Sequence, residues 1–192
     1  MANGETNYIT VDAELSWAKV FEFNRDMGSP DYPKAETDGE YQLNLTVDEK
    51  DKDRMIEAGI PETSMGWPQF KPAEDGKFTY KAKRPHKNKW MVDKETGEKV
   101  VHGPPDVFFF QQSVDKMKAE GGTDINNYLV NHNTDVDGLI ANGSEAKVKL
   151  SVYVDGKKRI VRLERVALTT FIPYFDQAST NSAVDEETGI AI

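Results

Sequence analysis

Apolar and polar residues alternate along several stretches of this chain, and the alternation predicts strands. In "YQLNLTV", Tyr41, Leu43, Leu45 and Val47 fall on one side and Gln42, Asn44 and Thr46 on the other, the mark of a strand with one buried face. "KFTYKAK", Lys77 to Lys83, sets Phe78, Tyr80 and Ala82 against Thr79, Lys81 and Lys83, and Pro85 ends it. "AKVKLSVYV" (146–154) and "RIVRLERVAL" (159–168) predict two strands joined by a tight turn at Asp155-Gly156. "LSWAKVFEF" (15–23) predicts a strand with Trp17, Phe21 and Phe23 on one parity, Lys19 among them. "KWMVDKETGEKVV" predicts a hairpin turning near Glu95 to Glu98, with Gly97 in the turn.

Helical signals are few. Asp48 is an N-cap candidate, acids fill the turn after it, Met55 and Ile56 give an apolar foothold, and Gly59 with Pro61 ends the segment. A second short helix is expected from Ser113 to Ala119. Residues 24–40 read as loop and 60–76 as irregular. Phe108, Phe109 and Phe110 cannot all share one strand face, so that segment is buried on both sides or feeds a partner surface. Five or six strands with one short helix between early strands and long loops predict a mainly β fold, an OB-fold-like small Greek-key barrel. The expected division is a barrel domain over 1–175 and a flexible acidic tail over 176–192.

The chain has 192 residues and no cysteine, so neither disulfides nor thiolate metal sites are expected. Its first residues, "MANGETNYITVD", carry no basic region followed by an apolar one, and no apolar run approaches the ~18 residues of a membrane span. A soluble, cytosolic protein is expected.

Net charge is −9, yet the charge is segregated. Residues 71–99 hold nine of the 24 Lys and Arg, and residues 147–165 hold seven more against two acids. Residues 31–62 hold ten acids and four bases, and no Lys or Arg follows Arg165. Local fields follow such segregation more than they follow the sum. Both basic strips are interleaved with aromatics, the pairing a single-stranded nucleic acid needs: cations for phosphates, rings for unstacked bases. The first strip offers Lys81, Lys83, Arg84, Lys87 and Lys89, with Tyr80 and Trp90 as candidate rings. Parity puts Lys81 and Lys83 on one face and Phe78, Tyr80 and Ala82 on the other, so Trp90 is favoured over Tyr80. The second strip offers Lys147, Lys149, Tyr153, Lys157, Lys158, Arg159 and Arg162. The plain alternative is that the rings are core and the lysines solvate a strand. The tail sets Asp185, Glu186 and Glu187 before apolar Ile190 and Ile192, able to occupy a basic groove or a partner's pocket.

Other chemistry is weaker. Asp106, Glu145 and Lys147 echo a metal-dependent nuclease triad, in which two carboxylates hold Mg²⁺ and a lysine assists water. Asn133, Asp135, Asp137 and Gly138 match the start of a calcium loop, but its twelfth position is Ser144, and turn chemistry explains the residues more simply. His86, His102 and His132 have no ligand spacing. No cofactor is expected.

In order, "LSWAKVFEF", "YQLNLTVDEKDKDRM", "GPPDVF", "LIANGSEAKVKLSVY" and "RLERVAL" resemble the bacteriophage single-stranded DNA-binding proteins of the short-tailed-phage type. The resemblance runs over roughly residues 12–192, most specifically at "GPP" (103–105) and "ANGSEAKVKLSVY" (141–153). It implies an OB-fold with an acidic C-terminal tail, in a non-enzymatic protein that coats single-stranded DNA without sequence preference. It implies roles in phage DNA replication, recombination and repair, in the cytoplasm of the infected host cell. The tail would contact the phage DNA polymerase and helicase–primase, and a homodimer is compatible. Two departures stand out: a tail with only three clustered acids and a terminal Ile192, and the aromatic "VFFFQQ". The alternatives are the nuclease using Asp106, Glu145 and Lys147, and a phage structural β-domain with no nucleic-acid role.

Overall fold

The structure, a computed structural model, describes residues 5–155 and 158–175, with the side chains of Asp155 and Lys158 left aside. In chain order the elements are β1 (Thr6–Lys19), β2 (Glu40–Val47), α1 (Glu49–Glu57), β3 (Thr63–Ser64), β4 (Trp67–Pro68), β5 (Phe70–Pro72), β6 (Phe78–Pro85), β7 (Lys87–Val92) and β8 (Lys99–Val101). There follow β9 (Asp106–Phe109), α2 (Phe110–Ala119), α3 (Thr134–Asp137), β10 (Leu139–Ile140), β11 (Ser144–Asp155), β12 (Lys158–Thr170) and β13 (Pro173–Tyr174). The molecule is mainly β, as the alternation predicts. No helix among the described residues is long and apolar enough to cross a membrane.

Seven strands form one sheet in the order β5-β6-β2-β1-β11-β12-β9. The neighbours are antiparallel except β9, which runs parallel to β12. The inner face collects every second residue. Val11, Leu15, Leu43, Leu45, Val148, Leu150, Leu163 and Val166 are fully buried there. The sheet coils far enough for β6 to approach β12: the Arg84 guanidinium donates to the Leu163 carbonyl at 3.2 Å. These two strands bound a seam rather than share a ladder.

Several expectations hold in detail. Asp48 caps α1, accepting the Asp51 N–H at 2.7 Å, and Met55 is buried beneath it. β6 and the β7–β8 hairpin lie where the alternation put them. Other boundaries differ. β1 starts nine residues before Leu15, because Ile9, Val11 and Ala13 continue the alternation of Leu15 inward. It also stops at Lys19: the register shifts between Ser16 and Lys19, and Trp17 takes φ +54°. That bulge breaks the parity, so Trp17 and Phe23 are exposed while Phe21 packs on the core. The irregular 60–76 segment contains the β3–β4 turn and β5, which extends the sheet beyond β6. The triple phenylalanine spans a strand-to-helix junction: Phe108 is buried on β9, Phe109 packs on the core, and Phe110 opens α2. The expected tail, with Asp185, Glu186, Glu187, Ile190 and Ile192, lies outside the described residues, as does Lys157.

Candidate nucleic-acid interface

The two basic strips meet at the seam. An open cleft of about 470 Å³ is lined by Lys81 and Lys83 from β6 and by Arg159 and Val161 from β12. Trp67 and Lys71, from the segment read as irregular, complete its wall. Among the described residues no carboxylate lines it. Trp67 is 75% exposed, so its indole is open to a flat ligand. Lys81 has no acidic partner within ion-pair distance among the described residues. Partial burial, then the charge of Lys83, holds its ammonium below the usual lysine value, as expected where cations face one another. Arg159 uses one nitrogen on the Gly59 carbonyl at 3.3 Å. Tyr80 reaches the cleft only as floor: it is 5% exposed, it packs on Phe70, and burial raises its hydroxyl pKa.

Lys83, at the edge of the cleft, and the lysines beyond it are occupied. Acids of the 36–40 segment face them in matching order. Glu40 pairs with Lys83 at 3.0 Å, Asp38 with Lys87 at 3.0 Å, and Glu36 with Lys89. Hydrogen bonding to Lys87 holds the Asp38 carboxyl below its ordinary value, and bonding to Lys89 does the same for Glu36. Trp90 is exposed at 75%, with the Lys89 ammonium 4.8 Å from its ring centre. It stands on the β7–β8 hairpin and does not line the Trp67 cleft.

Arg84 is a bolt in the seam. It donates to the carbonyls of Gly103 at 2.9 Å and His102 at 2.8 Å, and to Glu164 at 2.6 Å. Glu164 also accepts from Ser151 and, at 2.7 Å, from Arg162. Burial works to raise the Glu164 pKa, but these hydrogen bonds and the charges of Arg162 and Arg84 outweigh it and leave the carboxyl lowered.

Beyond Arg84 lies a smaller cleft, about 220 Å³, between Tyr8, Lys149, Arg162 and Arg165. All project from the outer face: Lys149 is opposite Thr10 on β1 and Arg165 on β12, and Ser151 is opposite Tyr8 and Arg162. Lys147 is one row away and pairs with Asp12 at 2.7 Å. Tyr153 is on the same outer face, opposite Thr6 and Ile160.

The structure thus gathers Lys81, Lys83 and Arg159 in one cleft and Lys149 and Arg162 in the next. It sets Lys87, Lys89 and Trp90 on the hairpin, and it uses Arg84 and Tyr80 structurally. Trp67, Lys71 and Tyr8 were not among the sequence candidates. "GWPQFKP" signals an aromatic in a Gly-Pro turn beside a lysine, and Tyr8 sits on the polar parity of "NYITVDAEL".

The competing chemistries fare differently. Asp106 is held by Arg165 at 3.0 Å and Glu145 accepts the Thr170 hydroxyl at 2.8 Å. No group of three or more His, Asp or Glu among the described residues could hold a metal ion. The calcium-like segment folds as α3, with Asn133 capping the Asp135 N–H and Asp137 accepting from the Asn133 N–H. Its polar groups serve their own turn.

No family model matches the chain, and no curated protein matches it. Among solved structures, the single-stranded DNA-binding protein from bacteriophage Enc34 in complex with ssDNA is similar, with TM-score 0.48 and 12% identity over 88% of this chain and 90% of that one. A second structure of that protein gives TM-score 0.42 at 13% identity over 92% and 89% of the two chains. Its C-terminal truncation gives 0.41 at 12% identity over 88% of each.

Proposed function

We propose that this chain is a non-enzymatic, sequence-tolerant single-stranded DNA-binding protein built on an OB-type barrel. One observation carries the reading: in a chain of net charge −9, Lys71, Lys81, Lys83, Arg159 and an exposed Trp67 line one cleft that no carboxylate lines among the described residues, and of these cations Lys83 is paired, with Glu40 beside the cleft. Clustering like charges around a partly desolvated cleft costs stability, and a polyanion relieves the repulsion. An exposed indole beside spaced cations suits unstacked bases on a phosphate chain. A duplex hides those faces. Ring stacking and cation–phosphate contacts carry no base-sequence information, so the binding is sequence-tolerant. The β6-β2-β1-β11-β12 order, with β6 returning to β12, fits the OB connectivity.

The finer role proposed is coating and protecting single strands during phage replication, recombination and repair, in the infected host cytoplasm. Residues 176–192 would compete for the cleft and meet the phage polymerase and helicase–primase. Deleting them is expected to tighten oligonucleotide binding, and unchanged or weaker binding would remove the competition.

The test is a titration with labelled oligo(dT) across a salt series, with and without Mg²⁺. Affinity is expected to fall with salt at a slope of about −0.7 per phosphate contacted. No binding at low salt would overturn the reading, and Mg²⁺-dependent cleavage of the oligonucleotide would replace it with the nuclease.

A further inference from the structure

We propose that the cleft around Tyr8 is a second nucleotide-binding subsite, where one base of the same single strand stacks on the Tyr8 ring and Lys149 and Arg162 hold its flanking phosphates. The inference rests on single-strand binding at the Trp67 cleft.

Tyr8 is 59% exposed on the outer face of β1, where that strand is paired with β11 and lies beyond its pairing with β2. The Lys149 ammonium lies 4.5 Å from its ring centre. That lysine has no carboxylate within ion-pair distance among the described residues. The two acids of the cleft are already engaged: Asp106 by Arg165 and Glu164 by Arg84 and Arg162. Four cations face these two acids, so the cleft keeps two surplus positive charges: Lys149, and one shared by Arg84 and Arg162 around Glu164. Arg162 spends only its Nε on Glu164, at 2.7 Å, and its terminal nitrogens have no hydrogen-bond partner among the described residues. A ring with one uncommitted ammonium and one half-committed guanidinium is the minimal set for a base and its phosphates.

Position argues for the same strand. Lys83 and Val161 line the Trp67 cleft, and their chain neighbours Arg84 and Arg162 line the Tyr8 cleft. The two clefts follow one another along the β6–β12 seam. Between them the Arg84–Glu164 pair is neutral, so the strand crosses there without a phosphate contact.

Binding of (dT)₁₆, at the upper end of the site sizes seen for one OB fold, is measured for five proteins across a salt series: the parent, Tyr8→Ala, Tyr8→Phe, Lys149→Gln and Trp67→Ala. Tyr8→Ala is expected to weaken binding roughly 5- to 140-fold, the span of one lost stacking contact, with the salt slope unchanged. Tyr8→Phe keeps the ring and is expected to bind as the parent. Lys149→Gln is expected to reduce the slope by about 0.7, one phosphate contact. On an abasic oligomer the Tyr8→Ala effect is expected to vanish. If Tyr8→Ala binds (dT)₁₆ as the parent does while Trp67→Ala is weakened, the subsite is wrong and the Trp67 cleft stands. If its loss persists on the abasic strand, Tyr8 only shapes the surface and the subsite is again wrong. If the parent does not bind at low salt, both readings fall.

Discussion

The Arg84 guanidinium meets the Glu164 carboxylate at 2.6 Å and so ties β6 to β12 between the two clefts. Both side chains are mostly buried, at 13% and 17% exposure. Arg84 also satisfies three backbone carbonyls.

Removing Arg84 leaves Glu164 facing a buried gap with Arg162 as its remaining cation, and orphans those carbonyls. Breaking such a pair costs on the order of 3–5 kcal/mol. Arg84→Ala is therefore expected to lower the urea midpoint strongly. Arg84→Lys is expected to recover little, because one ammonium cannot serve four acceptors in a fixed fan. Equal stability of parent and Arg84→Ala would show that the seam is held by other contacts.

Glu36, Asp38 and Glu40 meet Lys89, Lys87 and Lys83, so three of the five Lys and Arg of the strip at 78–90 are neutralised by this one loop. The Lys87–Asp38 and Lys89–Glu36 pairs are largely exposed, and exposed pairs contribute little stability. Their consequence is electrostatic: they withhold cations from a phosphate chain. The double variant Glu36→Gln, Asp38→Asn is expected to bind oligo(dT) more tightly at low salt. Its slope is expected to steepen by up to about 1.4, for two released lysines. An unchanged slope would place the hairpin off the strand's path.

Much of this was legible beforehand. β2, β6 and β11 declare themselves because each keeps one buried and one wet face, and a period of two survives wherever that is true. The strip at 78–90 was legible as basic but not as neutralised, because its partners come from 36–40, a loop whose pairing depends on how β2 lies beside β6. Trp67 was not legible either. It belongs to a two-residue strand in a turn, too short for any period, and only the folding of β5 onto β6 carries it to the seam. The extent of β1 was missed for a simpler reason: the bulge at Trp17 interrupts the parity and hides the clean alternation before it.

Trp67, Trp90 and Trp17 are all exposed, which makes fluorescence a direct discriminator. Only Trp67 lines the cation cleft. Oligo(dT) is expected to quench the parent, and the quenching is expected to disappear in Trp67→Phe but persist in Trp90→Phe and Trp17→Phe. Trp67→Ala is expected to cost about 1–3 kcal/mol of binding, one stacking contact. Quenching lost with Trp90 instead would move the path onto the β7–β8 hairpin.

All three histidines are held below the ordinary value of 6.5, chiefly by burial, so acid should weaken the fold. His86 bonds the Tyr41 hydroxyl at 2.6 Å near Arg25, and His102 lies near Arg162 and Arg84. His132 is packed between Phe21, Phe109 and Phe171, with ring centres 5.1–5.6 Å away. Neither of its ring nitrogens has a hydrogen-bond partner among the described residues. Because the folded values lie below the unfolded ones, the unfolded chain takes up protons first as pH falls. Stability is thus complete above about 6.5 and declines as pH drops from there toward the lowered values. Asp26, lowered to about 2 from 3.8 mainly by its Lys34 hydrogen bond, adds a second loss of the same sign below 3.8. Urea midpoints are expected to fall between pH 7.5 and pH 5.5. His132→Phe, which fills the aromatic box without a titrating group, is expected to flatten part of that fall. A variant as acid-sensitive as the parent would assign the effect to His86 and His102 instead.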